Sequence, residues 1–188
     1  MEIKVIERTQ LYTYEYPFAE KLNPKLHDII LKKAVNRDFG ATMTTWAECF
    51  HIKEFRTLAD WVYKVILGFN EQVKIDSIFD LKLKELWGQY YKKGDYQINH
   101  HHHPNSWSFV YFVKAPKGSA PLVFTSSNKK IVPKSGMLVV FPSWVYHYVP
   151  KHKCEEIRSI VSGDFVYSVD WEKMESSQES KGFRGEFK

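Results

Sequence analysis

Residues 81–170 consist of short apolar and aromatic runs that are repeatedly interrupted by proline or glycine. The interruptions include Pro104, Gly136, Pro142 and Pro150. Proline and glycine end strands and promote turns, so this pattern favours many short strands joined by tight connections. For this part of the chain we therefore expect a β-sandwich or barrel.

Two helical patterns precede this region. A first helix is expected over residues 23–36, because an asparagine that can cap a helix is followed by a proline at the first helical position. A second is expected over residues 53–70, where apolar residues recur on one helical face. Both should cover a sheet, as a helical cover within residues 23–72. A short strand is expected at residues 3–6, while residues 41–50 fit either a loop or a short strand.

Composition indicates a globular chain. With 188 residues and 44% apolar side chains, it is long enough for one domain with a substantial core, which we expect over residues 1–171, followed by a flexible polar tail over residues 172–188. Two cysteines, Cys49 and Cys154, are too few for a disulfide framework and favour a reducing compartment. No run approaches the roughly 18 apolar residues of a membrane span, so we expect a soluble, cytoplasmic protein without membrane contact.

A run of four histidines, 100–103, can form a metal site. Residues two apart on a strand face the same side, so His101 and His103 share one face, and His100 and His102 share the other. Such a pair can bind one metal ion from one strand end. His147, 44 residues after the run, is the candidate third ligand. Imidazole suits iron, zinc, copper and nickel. The segment from Tyr96 to Cys154 contains seven lysines but no Asp or Glu. The carboxylate ligand that is common in such metal sites is therefore missing from this segment. A surface histidine run remains the alternative interpretation.

Arg158 begins a strand of apolar character, where a charge is unfavourable unless it meets an anion. It could pair with Glu155 or Glu156, or point outward. Alternatively, its guanidinium could clamp a carboxylate beside the metal, through two parallel hydrogen bonds. The formal charge of +5 is compatible with nucleic-acid binding, or with solubility alone.

Several segments of residues 94–165 together resemble one enzyme superfamily, that of the Fe(II)/2-oxoglutarate-dependent oxygenases. The likeness is strongest to the prolyl-hydroxylase-like oxygenases of phages and marine bacteria. The segments are 94–97 leading into 101–104, then 107–112, 133–144 with His147, and 158–165.

The resemblance implies a mostly β (α+β) fold, a double-stranded β-helix or jelly roll with a core over about 81–170 and two N-terminal covering helices. It implies Fe(II) held by His101, His103 and His147, and 2-oxoglutarate held through its distal carboxylate by Arg158. The expected activity is that of a hydroxylase-type dioxygenase, which consumes 2-oxoglutarate and O2 in the cytoplasm (the host cytoplasm for a phage-encoded chain). The prime substrate is open between a peptide, a nucleic acid and a small molecule.

Tyr111 and Tyr96 are further candidates for cosubstrate contacts, or else core aromatics. Two positions depart from the superfamily's usual pattern. His103 stands where most members have a carboxylate, and Ile160 stands where a serine often follows the clamping arginine.

Two other functions fit the same residues. The first is a cupin-like metalloprotein with three histidine ligands and no 2-oxoglutarate, although the glutamate that cupins have soon after their histidine pair is missing. The second is a non-catalytic jelly-roll module whose basic surface binds nucleic acid or a capsid partner, with aromatic residues such as Trp107 and Trp144 stacking on bases.

Overall fold

The computed structural model describes residues 9–38, 40–73, 79–170 and residue 173, with backbone alone at 36–38 and 69–73. The strands are β1 (Tyr12–Glu15), β2 (Asn36–Asp38), β3 (Ala41–Met43), β4 (Phe79–Tyr91), β5 (Gln97–His100), β6 (Trp107–Lys114), β7 (Leu122–Phe124), β8 (Lys129–Ile131), β9 (Met137–Pro142), β10 (His147–Val149) and β11 (Arg158–Val169). The helices are α1 (Ala19–Lys33), α2 (Trp46–Cys49) and α3 (Lys53–Val73).

The strands form two antiparallel sheets. The major sheet has the order β1-β9-β6-β11-β4-β3-β2, and the minor sheet has the order β5-β10-β7-β8. A buried apolar cluster lies between them, with Phe112 and Phe141 from the major sheet and Leu122, Phe124 and Val149 from the minor sheet. The sheets are therefore packed face to face, and the expected mostly β fold is confirmed.

The opposite face of the major sheet is covered by α1 and α3. Leu22, Leu26 and Ile30 recur every four residues along α1, which places them on one face, and all three are buried against the sheet. The helices approach β4 closely at Gly88, where a Cβ atom would lie 2.6 Å from Cγ1 of Ile30. The two covering helices are thus confirmed, and residue 88 must be glycine-sized for them to pack.

The first helix begins earlier than predicted. It starts at Ala19, and Pro24 lies inside it rather than at its first position. The four-residue apolar spacing already begins at Leu22, one residue before the expected start, and its burial outweighs the local Asn-Pro signal. In the ambiguous stretch 41–50 the chain forms the short strand β3 and the single-turn helix α2.

Some expectations fall on other parts of the chain. The strand at residues 3–6 and the tail 172–188, apart from residue 173, lie outside the described residues. Within the part of the chain that the structure describes, no helix combines the length and the apolar character that crossing a membrane requires.

Candidate metal and cosubstrate site

Three histidines meet between the sheets. The ring centroids of His100 and His147 are 4.3 Å apart, and those of His102 and His147 are 5.3 Å apart with the rings nearly parallel. Each ring offers one nitrogen within 4.8 Å of those of the other two. This spacing is compatible with three imidazoles around one metal ion.

The pairing of β5 with β10 decides which histidines face the site. His147 pairs with His100 and Val149 pairs with Gln97, so a step of two residues along β10 meets a step of three along β5. This extra residue in β5 is a bulge, and a bulge changes which face the following side chains point to. As a result, both Gln97 and His100 face the interior, and His102 follows His100 on the same side.

Hydrogen bonds hold each of the three rings by its Nδ1 atom. Nδ1 of His100 lies 2.8 Å from the carbonyl oxygen of Ile98, and Nδ1 of His147 lies 3.0 Å from that of Val145. A carbonyl oxygen only accepts, so Nδ1 carries the proton in both rings. Nδ1 of His102 is 2.9 Å from a carboxylate oxygen of Asp164. Nε2 of each ring is thereby left as the nitrogen with a free lone pair, an arrangement typical of metal-binding histidines.

The expectation that His101 and His103 join His147 is corrected by this geometry. Both side chains are exposed. The ring of His101 lies against Tyr146 at 4.6 Å, and its Nδ1 accepts a hydrogen bond from the backbone N–H of His103. The even-numbered histidines point inward instead, because the bulge in β5 shifts the alternation by one residue.

Arg158 lies in the same cavity as the three histidines. Its side chain is fully buried, and among the described residues Nε, Nη1 and Nη2 have no hydrogen-bond partner. The guanidinium carbon is 4.6 Å from the ring centroid of Tyr91 and 5.2 Å from that of Phe112, so the two rings flank it. Pairing with Glu155 or Glu156 does not occur, since these acids contact Lys93 and Lys114. A buried cation without a partner fits a cavity that receives an anion.

The polar groups beside Arg158 bond to one another. The hydroxyl of Tyr91 donates to Gln89 at 3.0 Å, and the amide of Gln89 donates to Gln97 at 2.9 Å. Burial raises the pKa of Tyr91 to about 12, so this hydroxyl remains protonated. The cavity has a volume of about 110 Å³. Within it, the guanidinium of Arg158 is the cationic group whose hydrogen-bonding capacity is unused.

Neither tyrosine expected from the sequence lines this cavity. Tyr111 lies on the other face of β6, beneath the helices, and its hydroxyl donates to Asn23 at 2.6 Å. Tyr96 lines a separate groove outside the minor sheet and is 38% exposed. The cavity is instead reached by Tyr91, which the sequence analysis left unassigned. The expected cosubstrate contacts of Tyr111 and Tyr96 are corrected accordingly.

Two carboxylates reach the site from outside the acid-free segment. Asp164 lies on β11, six residues after Arg158 and therefore on the same face, and it is fully buried. Glu85 lies on the neighbouring strand β4, directly opposite Asp164. Burial and the neighbouring Asp164 carboxyl raise the pKa of Glu85. Glu85, His102 and Asp164 also lie close enough together to hold a metal ion. The strand alternation of β11 contains the signal for Asp164, which follows the acid-free segment 96–154 along the chain.

The sequence model of a family described as "Putative 2OG-Fe(II) oxygenase" matches residues 85–164. This range contains the three histidines, Arg158 and Asp164. The matched segment, somewhat under half of the chain, is thus similar to the 2-oxoglutarate/Fe(II)-dependent oxygenases. The match indicates a 2-oxoglutarate-dependent dioxygenase, an enzyme class whose cofactors are Fe(II) and 2-oxoglutarate. Among curated proteins, no sequence matches the chain significantly.

Solved structures share the fold of this chain at low sequence identity. The viral collagen prolyl hydroxylase of Paramecium bursaria Chlorella virus-1, in complex with 2-oxoglutarate, aligns over 85% of this chain and 96% of its own, with 18% identity and a TM-score of 0.64. A prolyl-4-hydroxylase of Pseudomonas putida aligns over 84% and 92%, with 16% identity and a TM-score of 0.65. HygX of Streptomyces hygroscopicus, with nickel, 2-oxoglutarate and hygromycin B bound, aligns over 84% and 83%, with 10% identity and a TM-score of 0.62. These similarities confirm the double-stranded β-helix fold.

Proposed function

We propose that this chain is a 2-oxoglutarate-dependent oxygenase that holds Fe(II) through Nε2 of His100, His102 and His147, and binds the distal carboxylate of 2-oxoglutarate through Arg158. One observation supports this most strongly: three imidazoles held by their Nδ1 atoms share a cavity with a buried guanidinium that has no hydrogen-bond partner among the residues that the structure describes. The three imidazoles suit a divalent metal of intermediate softness, and the guanidinium suits an anion.

The histidine set fits Fe(II) in its protonation as well as its spacing. A histidine binds a metal in its neutral form. Burial, and secondly the neighbouring His100, lower the pKa of His147 well below its usual range. Burial also lowers the pKa of His100. Both rings are therefore neutral at physiological pH and are ready to bind without first losing a proton.

The surroundings of Arg158 fit a dicarboxylate cosubstrate. A guanidinium can hold a carboxylate through two parallel hydrogen bonds, and in a buried site these bonds are stronger than in water. Tyr91 and Phe112 flank the guanidinium and restrict its movement. When bound, Fe(II) supplies the redox chemistry that couples conversion of 2-oxoglutarate to succinate with oxidation of a prime substrate.

Trp46 is the residue best placed to contact the prime substrate. It lines the cavity and is 53% exposed, so it stands where the cavity opens to solvent. We propose a hydroxylation-type reaction on a substrate that enters past this indole. The two cysteines, Cys49 and Cys154, are free thiols, which is consistent with action in the reducing cytoplasm.

The test is to add Fe(II) and 2-oxoglutarate to the metal-free protein without oxygen and record the visible spectrum. We expect a weak charge-transfer band that needs both components, and succinate formation when oxygen is admitted without any prime substrate. Bound metal with no response to 2-oxoglutarate would contradict the proposal and favour a three-histidine metalloprotein. A protein that binds no metal but binds DNA in a strongly salt-dependent manner would favour the basic binding module.

A further inference from the structure

Asp164 is a buried acid that the proposed ligand set leaves without a role. Its side chain is fully buried, and both carboxylate oxygens are engaged. One oxygen accepts from Nδ1 of His102 at 2.9 Å, and the other accepts from the hydroxyl of Ser108 at 2.6 Å. The hydroxyl of Ser143 lies 2.8 Å from that of Ser108 and extends this chain of hydrogen bonds.

The backbone around Asp164 is shaped to hold it in this position. β4 has a bulge opposite Asp164, because Asp164 pairs with Glu85 and Phe165 pairs with Leu83, which leaves Lys84 as the extra residue. At the preceding Gly163, a Cβ atom would lie 2.5 Å from the carbonyl oxygen of Glu85, so any larger residue would push the strands apart. Glu85 lies opposite Asp164 on β4, and burial together with the Asp164 carboxyl raises the pKa of Glu85. A close strand approach thus fixes the carboxylate behind the His102 ring.

Burial of an ionised carboxylate is unfavourable for folding unless the carboxylate is paired with another group and hydrogen-bonded. The proposed metal ligands are three imidazoles, which bring no negative charge to a divalent ion. Asp164 is separated from the metal position by a single ring, that of His102. A carboxylate bonded to Nδ1 of a ligating histidine fixes the ring and strengthens it as a ligand.

We propose that Asp164 is a positioning residue that acts on the metal through His102, and that it supplies the negative charge which the all-histidine ligand set lacks. This inference rests on the proposed function. In this proposal Asp164 lies behind His102 rather than among the ligands, because its two oxygens accept from Nδ1 of His102 and from the hydroxyl of Ser108. His102 is held with Nδ1 protonated and Nε2 directed to the ion.

The substitution D164N removes the charge but preserves the shape of the side chain. D95N provides a matched control, because Asp95 is also buried yet lies outside the metal cavity and accepts from the backbone N–H of Lys92. S108A removes the second bond to Asp164 and leaves the charge in place. For each variant, three quantities should be measured: the Fe(II) affinity under anaerobic chelator competition, the tautomer of His102 by nitrogen-detected NMR without metal, and the melting temperature without metal.

We expect D164N to bind Fe(II) about 10- to 100-fold more weakly than the wild type. In the metal-free protein, His102 should lose its uniform Nδ1-protonated form, while the melting temperature should not fall, because an amide is easier to bury than a carboxylate. S108A should lose less affinity than D164N, and D95N should keep the wild-type affinity. This separation of affinity from stability is not expected of a merely structural aspartate.

Three results would overturn the inference. D164N with wild-type affinity and an unchanged His102 tautomer would show that the carboxylate does not act on the metal. Full Fe(II) affinity in H147A, with complete loss in D164N, would make Asp164 a direct ligand in the group with Glu85. If the wild type bound no Fe(II) although His102 kept its Nδ1 proton, the proposed function would fail, and the role given to Asp164 with it. The tautomer measurement distinguishes the last case, because it needs no metal.

Discussion

Replacing Arg158 with methionine should separate cosubstrate binding from folding. Methionine has a similar length and suits the apolar rings on either side, but it cannot bind an anion. Each hydrogen bond to a charged partner contributes about 1.5–3 kcal/mol, so a bidentate carboxylate contact should contribute about 3–6 kcal/mol. Since about 1.4 kcal/mol corresponds to a tenfold change, R158M should bind 2-oxoglutarate on the order of 10²- to 10⁴-fold more weakly. Without ligand, R158M should be at least as stable as the wild type, because Arg158 of the wild type is buried without a hydrogen-bond partner among the described residues.

Thermal unfolding of the anaerobic, Fe(II)-loaded protein measures both effects. At a 2-oxoglutarate concentration of about 100 times the wild-type Kd, binding should stabilise the wild type by about 2.7 kcal/mol, or roughly 5–11 °C for a chain of this size. For R158M the same concentration should contribute less than about 0.5 kcal/mol. R158K is the matched control, since it keeps the charge but cannot form the two parallel bonds. A full wild-type shift in R158M would refute the role given to this arginine.

Three further predictions concern stability and reactivity. Burial lowers the pKa of His147, so the unfolded chain takes up a proton at this residue before the folded chain does as the pH falls. Below about pH 6.5, the unfolding free energy of the metal-free protein should therefore fall by up to about 1.4 kcal/mol per pH unit. The fall should be smaller in H147Q. Burial raises the pKa of the Cys49 thiol, whereas Cys154 is partly exposed. A thiol reagent should therefore modify Cys154 in the folded protein and Cys49 only in denaturant. Rapid modification of both thiols in the folded protein would contradict this. G88A should destabilise by about 1–3 kcal/mol in urea unfolding through overpacking, while G68A, in a helix with open space around it, should stabilise by about 0.5–1 kcal/mol.

The fold was largely predictable from the sequence. Proline and glycine punctuation indicated a core of many short strands, and apolar periodicity indicated both covering helices. The bounds of strands such as β10, which has three residues, cannot be read from alternation because they are too short for it to be visible. The start of α1 was misplaced because a local Asn-Pro signal was weighed above the periodicity that begins at Leu22.

The site was predictable in part. His147 and Arg158 lie in one cavity, as the segment order indicated. The choice within the histidine run could not be made from alternation, because four identical residues offer two faces and a bulge in β5 selects between them. The role of Asp164 depends on cross-strand register, which brings a residue after the acid-free segment next to His102. Such pairings are set by the packed sheets and not by spacing along the chain.

The histidine run itself offers the most direct test of the account. The variants H100A, H102A and H147A remove the proposed ligands, while H101A and H103A remove neighbours of the same type that are exposed. Each variant should be titrated with Fe(II) and 2-oxoglutarate without oxygen, and the charge-transfer band should be recorded. The account predicts that the band is lost in the first three variants and retained in H101A and H103A. Loss of the band in H101A and H103A, with retention in H100A and H102A, would contradict it.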